Sequence, residues 1–248
     1  WTSIKDNLDM PIGNWSDWRN YPQGSELYTS DRAGGNVVRL TNNKYYEAEV
    51  TVSPDGKWIA YNSKQEGDSE IYIMAADGSQ QRRLTFQPAE DFIPVWSPDG
   101  TKLTFRRAGV SSIIDSRKSW NEQSPQPLPP LDNPDDRFVV WDWSPDGAKL
   151  AIQFGGAQAG TGYYSFATSR YEFLSKVESS PSWLPDSRRL IFAHDDGVFL
   201  ADTEKKDVRK IFTRPFEQVH SASVSRDGRL LYFTELSTES DIWLLDLN

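Results

Sequence analysis

Ser53-Pro54-Asp55-Gly56 returns as Ser97-Pro98-Asp99-Gly100 and again as Ser144-Pro145-Asp146-Gly147. Two looser copies follow, Leu184-Pro185-Asp186-Ser187 and Ser225-Arg226-Asp227-Gly228. The four residues specify a tight turn. Proline presets φ at the second position, aspartate bonds nearby backbone amides from the third, and glycine accepts positive φ at the fourth. Apolar residues flank every copy. Val50 and Val52, Val95 and Trp96, Trp141 and Trp143, Trp183, and Ala222 and Val224 precede the turns. Trp58-Ile59-Ala60-Tyr61, Leu103-Thr104-Phe105, Leu150-Ala151-Ile152, Leu190-Ile191-Phe192 and Leu230-Leu231-Tyr232-Phe233 follow them. Short β-branched or aromatic runs bounded by turn residues predict strands, so each turn joins an antiparallel pair.

A second pair of strands is expected after most of these hairpins. The clearest is Glu70-Ile71-Tyr72-Ile73-Met74, an Asp77-Gly78 step and Gln81-Arg82-Arg83-Leu84-Thr85, because Asp-Gly is a strong hairpin signal. The same pattern stands near the N-terminus in Glu26-Leu27-Tyr28-Thr29-Ser30 and Val37-Val38-Arg39-Leu40-Thr41. The turns begin at residues 53, 97, 144, 184 and 225. A period of roughly 40–45 residues is that of one four-stranded propeller blade. The expected fold is therefore all-β, a single β-propeller domain over residues 1–248 built from four-stranded antiparallel blades. Six blades are expected, with five as the alternative. Their spans are 7–41, 45–85, 90–130, 137–176, 178–213 and 218–248. Asn14 to Trp18 is read as a degenerate inner strand of the first blade. Trp1 to Asp6 is expected to supply the outer strand of the last, since an unfastened terminal blade exposes an edge. The proline-rich stretch from Ser124 to Pro134 is expected to be an exposed loop, because proline is excluded from central ladders.

The blocks from Val52 to Thr85 and from Trp96 to Phe105 resemble the repeats of TolB-type, WD-like propellers. The tail Asp241-Ile242-Trp243-Leu244-Leu245 is similar to their final strand. The resemblance covers residues 26–248 and is specific for the fold, since the motif recurs in register. It implies a bacterial docking, sensing or peptidase-gating module, with the periplasm or cell exterior as the expected location and the cytoplasm as the alternative.

Composition narrows the partners. The chain has 248 residues, 36 Asp and Glu against 27 Lys and Arg, and a net charge of −9. Such a surface repels phosphate backbones, so no nucleic-acid partner is expected. There are no cysteines, which removes disulfides, thiolate zinc ligands and thiol catalysis. No apolar run reaches the length of a membrane span, so direct membrane insertion is not expected. The expected state is a monomer that binds a protein or peptide.

The candidate site residues come from the repeat register. Six residues before the turns stand Glu47, Asp91, Phe138, Glu178 and Val219, with His220 beside the last. Three acids in five equivalent places suggest a mouth that attracts a cation, either Ca²⁺ or a basic peptide, against the simpler reading of a solvated rim. Arg106 adds a guanidinium able to grip a carboxylate, and Trp141 a platform for a peptide or sugar. Trp96, Trp143 and Trp183 share one place, immediately before the turn, which marks them as core. The two histidines, His194 and His220, lack metal-ligand spacing. No nucleophile elbow or zinc-protease motif is present. No cofactor is expected, and the favoured function is non-catalytic docking. The rivals are an enzyme or gate acting on peptides or acidic sugars, and a carbohydrate-binding module.

Overall fold

The computed structural model describes residues 2–3, 24–31, 34–195, 197–213 and 218–236. These form six sheets in which every pairing is antiparallel. The first holds β1 (Thr2–Ser3), β2 (Glu26–Thr29) and β3 (Val38–Arg39). The second holds β4 (Glu47–Val52), β5 (Trp58–Ser63), β6 (Glu70–Ala75) and β7 (Arg82–Arg83). The third holds β8 (Asp91–Trp96), β9 (Lys102–Arg107), β10 (Val110–Asp115) and β11 (Gln126–Pro127). The fourth holds β12 (Arg137–Trp143), β13 (Lys149–Gly155), β14 (Gly160–Ser165) and β15 (Arg170–Ser175). The fifth holds β16 (Ser182–Trp183), β17 (Arg189–His194), β18 (Gly197–Asp202) and β19 (Asp207–Thr213), and the sixth β20 (Gln218–Val224) and β21 (Leu231–Leu236). Within each four-stranded sheet the strands lie side by side in chain order.

The recurring turn joins the first two strands of sheets two to six, and in all but the fifth, where Leu184 takes the place, a serine closes it. Gly56 N–H donates to the Ser53 carbonyl at 2.9 Å. The Ser53 hydroxyl donates to Asp55 at 2.6 Å and accepts from the Trp58 N–H at 2.9 Å. Ser97, Ser144 and Ser225 repeat the latch on Asp99, Asp146 and Asp227, each at 2.6 Å. The serine bond, with backbone N–H groups, holds the Asp55 and Asp99 carboxyls below their ordinary range. Gly100 has φ of 69°, a left-handed conformation that a β-branched side chain resists.

Five apolar cores lie between consecutive sheets. Trp96 packs with Leu103 and Phe105 of its own sheet against Ala60, Ile71 and Ile73 of the second. Trp143 meets Val95 of the third sheet, and Trp183 meets Ala151 and Tyr163 of the fourth. Each of these indoles is at most 7% exposed, as its place before the turn predicts. Leu27 anchors the first sheet on Ile59 and Tyr61, and Val219 and Ala222 anchor the sixth on Ile191 and Ala193. Burying each large side chain contributes about 1.5–3 kcal/mol. The first strands of successive sheets also touch, β4 with β8, β8 with β12, β12 with β16 and β16 with β20. Stacked sheets meeting along their first strands are the blades of a β-propeller. Bulges interrupt these first strands between Ala48 and Thr51, Phe92 and Val95, Val140 and Asp142, and Val219 and Ser221. A bulge re-aims the side chains of the strand that carries it.

One expectation is corrected and another refined. Thr2 and Ser3 pair with Leu27 and Glu26 of the first sheet, not with the last blade. They take the register that Asn62 and Ser63 take against Ile71 and Glu70 in the second. The proline-rich stretch 124–134 is for the most part the exposed loop expected, with one departure. Gln126 and Pro127 pair with Ile113 and Ser112 as the outer strand of the third sheet, and Leu128 is buried in the next core. An edge strand spares proline the missing donor. The expected strands at Asn14–Trp18 and Asp241–Leu245 lie outside the described residues.

Candidate binding cleft

The predicted acids divide into two kinds. Glu47 and Asp91, the first residues of β4 and β8, are 1% and 0% exposed, so neither lies at an open mouth. A repeated clasp buries them. In the first sheet the Ser25 hydroxyl donates to the Glu47 carbonyl at 2.7 Å, and Arg39 donates to Glu26 at 2.7 Å and to the Thr41 carbonyl at 2.7 Å. In the second sheet Ser69 donates to the Asp91 carbonyl at 3.1 Å, and Arg83 donates to Glu70 at 2.5 Å and to the Thr85 carbonyl at 2.7 Å. The Thr41 and Thr85 hydroxyls accept from the Leu27 and Ile71 N–H groups at 2.9 Å each. Asp91 is held by both arms of Arg107, one bond measuring 2.6 Å. Burial pushes the Asp91 carboxyl up to about 6 against the pull of that guanidinium. Burial likewise pushes Glu47 up to about 7.

Arg106 faces a different acid. Glu49 stands in the bulge of β4 with φ of 52° and accepts the Ile93 N–H of the next sheet at 2.5 Å. Glu49 keeps an exposed surface, yet the packing around its carboxyl pushes it up, opposed by that bond and by Arg106. Asp142, bordering the bulge of β12 and paired with Ala151, makes a similar reach to the fifth sheet. It accepts from the Trp183 N–H at 2.7 Å and the Ser182 hydroxyl at 2.9 Å, and burial raises it to about 6. These bulge acids stitch neighbouring first strands together.

Trp141, Glu178 and His220 do converge. The Trp141 indole N–H donates to Gln153 at 2.7 Å, and the Gln153 amide donates to Glu178 at 3.0 Å. Gln153 and Glu178 border an open cleft of about 280 Å³, with His194, Asp195, Gln218 and His220 on its other sides. It lies where β13, β17 and β20 reach one end of their sheets. Glu178, Asp195 and His220 are exposed, and His194 Nε2 lies 3.3 Å from Asp195 Oδ2. Ser179 is buried and its hydroxyl donates to the Ala193 carbonyl at 2.5 Å, so it is a wall of the cleft and no free nucleophile. Gln153 and His194 are the residues that sequence reasoning passed over as site members. The register that aligns Arg106 and Arg107 with Gln153 and Phe154, and with Ala193 and His194, was the signal available. Among the described residues no three of His, Cys, Asp or Glu are grouped to hold a metal, and no helix is long and apolar enough to cross a membrane.

Fold and repeat chemistry together define a TolB-like β-propeller. Residues 22–161 match the family described as the tricorn protease N-terminal beta propeller domain, and the chain belongs to that family. It is 31% identical over 106 residues to the uncharacterized peptidase YuxL of Bacillus subtilis, a match covering 42% of this chain and 16% of that protein. A putative TolB from Agrobacterium tumefaciens superposes with a TM-score of 0.66 at 21% identity, over 88% of this chain and 85% of that one. Oligogalacturonate lyase from Vibrio parahaemolyticus superposes with a TM-score of 0.62 at 15% identity, over 85% and 66%. These two structures share the fold. The chain spans 16–29% of the length of the curated relatives it matches.

Proposed function

We propose that this propeller is a non-catalytic docking module that receives a basic segment of a protein or peptide in the cleft bordered by Glu178, Asp195, His194 and His220. The observation that carries the reading is the contrast between acids. Glu47 and Asp91 are buried and engaged, and Asp142 is half-buried and engaged, whereas Glu178 and Asp195 stand exposed around a recess. Exposed carboxylates on a chain of net charge −9 attract lysine, arginine or an amino terminus. Carboxamides of Gln153 and Gln218 offer bonds to a peptide backbone. An acidic sugar would meet Glu178 and Asp195 as like charges, which disfavours the lyase reading. We place the module as a monomer in the bacterial periplasm or at the cell exterior, in keeping with its TolB-like character.

A second reading is favoured by the family itself: the same cleft greets peptides on their way to a peptidase active site elsewhere in a longer chain. The two readings share the binding step. The test is fluorescence polarisation with labelled lysine-rich peptides at low salt, using the wild type and a Glu178→Gln/His220→Ala double variant. Docking predicts saturable binding that weakens at least about tenfold in the variant. Equal binding by both would refute the cleft as the site, and peptide cleavage by the 248-residue chain alone would refute both readings.

A further inference from the structure

The junctions between sheets one and two and between sheets two and three are built from one plan, with Asn43 and Glu47 of the first standing where Gln87 and Asp91 stand in the second, and they differ in charge at the position opposite the second acid. Glu26 and Glu47 face each other at the first, Glu70 and Asp91 at the second. In the second, Arg107 pairs across β8 with Asp91, binds both of its carboxylate oxygens, and reaches within 4.0 Å of Glu70 Oε2. The corresponding partner of Glu47 on β5 is Ser63, whose side chain is too short for that span. The consequence is visible atom by atom. Glu26 Oε2, Glu47 Oε2 and Ser63 Oγ are all buried with no hydrogen-bond partner. Their residues are at most 1% exposed. Asn43 ties the two carboxylates together, its N–H donating to Glu26 Oε1 at 2.6 Å and its amide to Glu47 Oε1 at 2.7 Å. Each carboxylate is thereby left with one oxygen that accepts no hydrogen bond, and the Glu26 charge bears on Glu47, opposed by Thr41, Asn43 and Arg39. Among the described residues the second junction sets Arg83 and Arg107 against its two carboxylates, and the first sets Arg39 alone against its own.

We infer that Glu26, Glu47 and Ser63 form a buried site for a hard metal cation, seated where the Arg107 guanidinium sits one repeat later. The donors are carboxylate and hydroxyl oxygens, the set that Ca²⁺ prefers, and its irregular coordination tolerates a site completed by water. A buried carboxylate without a partner is costly, so a cation here offsets that cost and fastens the first sheet to the second. This site is separate from the docking cleft, whose residues belong to sheets four to six.

Calcium-dependent thermal melting of the 248-residue chain tests the inference, with CaCl₂ against MgCl₂ and KCl at matched ionic strength. Past saturation, each tenfold rise in free Ca²⁺ is expected to raise the melting midpoint by about 3–5 °C. Glu47→Gln keeps an acceptor for Asn43 and removes an anionic donor, so it abolishes the response. Ser63→Arg supplies the guanidinium in place of the ion and is expected to melt higher without Ca²⁺ and to ignore it. A wild type that does not respond to Ca²⁺ overturns the inference. So does an equal shift in wild type and Glu47→Gln, which would mark diffuse ion binding to an acidic surface.

Discussion

Glu70, Asp91 and Arg107 make a junction whose charges are matched inside the protein. Glu26, Glu47 and Ser63, built on the same Ser-Glu and Arg-Leu-Thr clasp one repeat earlier, leave oxygens over. The pairing of the second acid is the same in both, and the change that removes a cation is Ser63 in the place of Arg107. Repetition gives each junction its geometry, and departure from the repeat decides what that geometry is free to bind. The cleft makes the same point at larger scale. The position held by Arg107 becomes Phe154 and then His194, and the place of buried Asp91 passes to exposed Glu178.

The strongest way to break the comparison is Arg107→Met. It strands Asp91 as a buried charge, while Glu70 keeps Arg83, and is expected to cost about 3–5 kcal/mol. Ser63→Ala in the first junction should cost less than about 1 kcal/mol, because the hydroxyl has no partner to lose. Urea denaturation reads both, and equal losses would erase the distinction. Next in size, Thr85→Val removes the acceptor of the Ile71 N–H and a donor to Glu70, at about 1–3 kcal/mol. Thr41→Val removes the acceptor of the Leu27 N–H and a hydroxyl that favours the ionised Glu47, and should cost a similar amount.

A pH titration of stability sharpens the contrast between buried and exposed acids. Burial raises the Asp142 carboxyl to about 6 in the folded chain, from an ordinary 3.8. The fold therefore favours its protonated form. That contribution is complete below about pH 4 and is lost as pH rises through about 6. Wild type should lose about 2 kcal/mol between pH 4 and pH 7 relative to Asp142→Asn, after allowance for partial solvent access. A flat difference between the two curves would contradict the assignment. Smallest of all, Glu178→Gln should change stability by less than about 0.5 kcal/mol, as expected of an exposed side chain.

Local chemistry made the fold legible. The Pro-Asp-Gly turn, the runs beside it and the indole before it are all decided within a few residues, and Trp96, Trp143 and Trp183 are buried as that pattern requires. The register also aligned Glu47, Asp91 and Glu178 as equivalents. It did not reveal their fates, because burial of Glu47 depends on Ser25 and Arg39, which precede it in another sheet. The repetition of Ser25-Glu26 with Arg39-Leu40-Thr41 by Ser69-Glu70 with Arg83-Leu84-Thr85 was the available clue. Gln126 and Pro127 depart from the surrounding exposed loop for a physical reason: a missing donor excludes proline from a central strand and leaves an outer edge permitted. Trp141 and His220 were chosen one at a time, and their convergence through Gln153 and Glu178 needed three sheets in place.

The most direct test of the account is the affinity of a lysine-rich peptide for the Glu178→Gln/His220→Ala variant, measured beside Arg107→Met under conditions where both remain folded. Binding lost in the cleft variant and kept in Arg107→Met is the predicted result. Binding kept in the cleft variant would contradict the claim that departures from the repeat, gathered in that cleft, are where this propeller meets its partner.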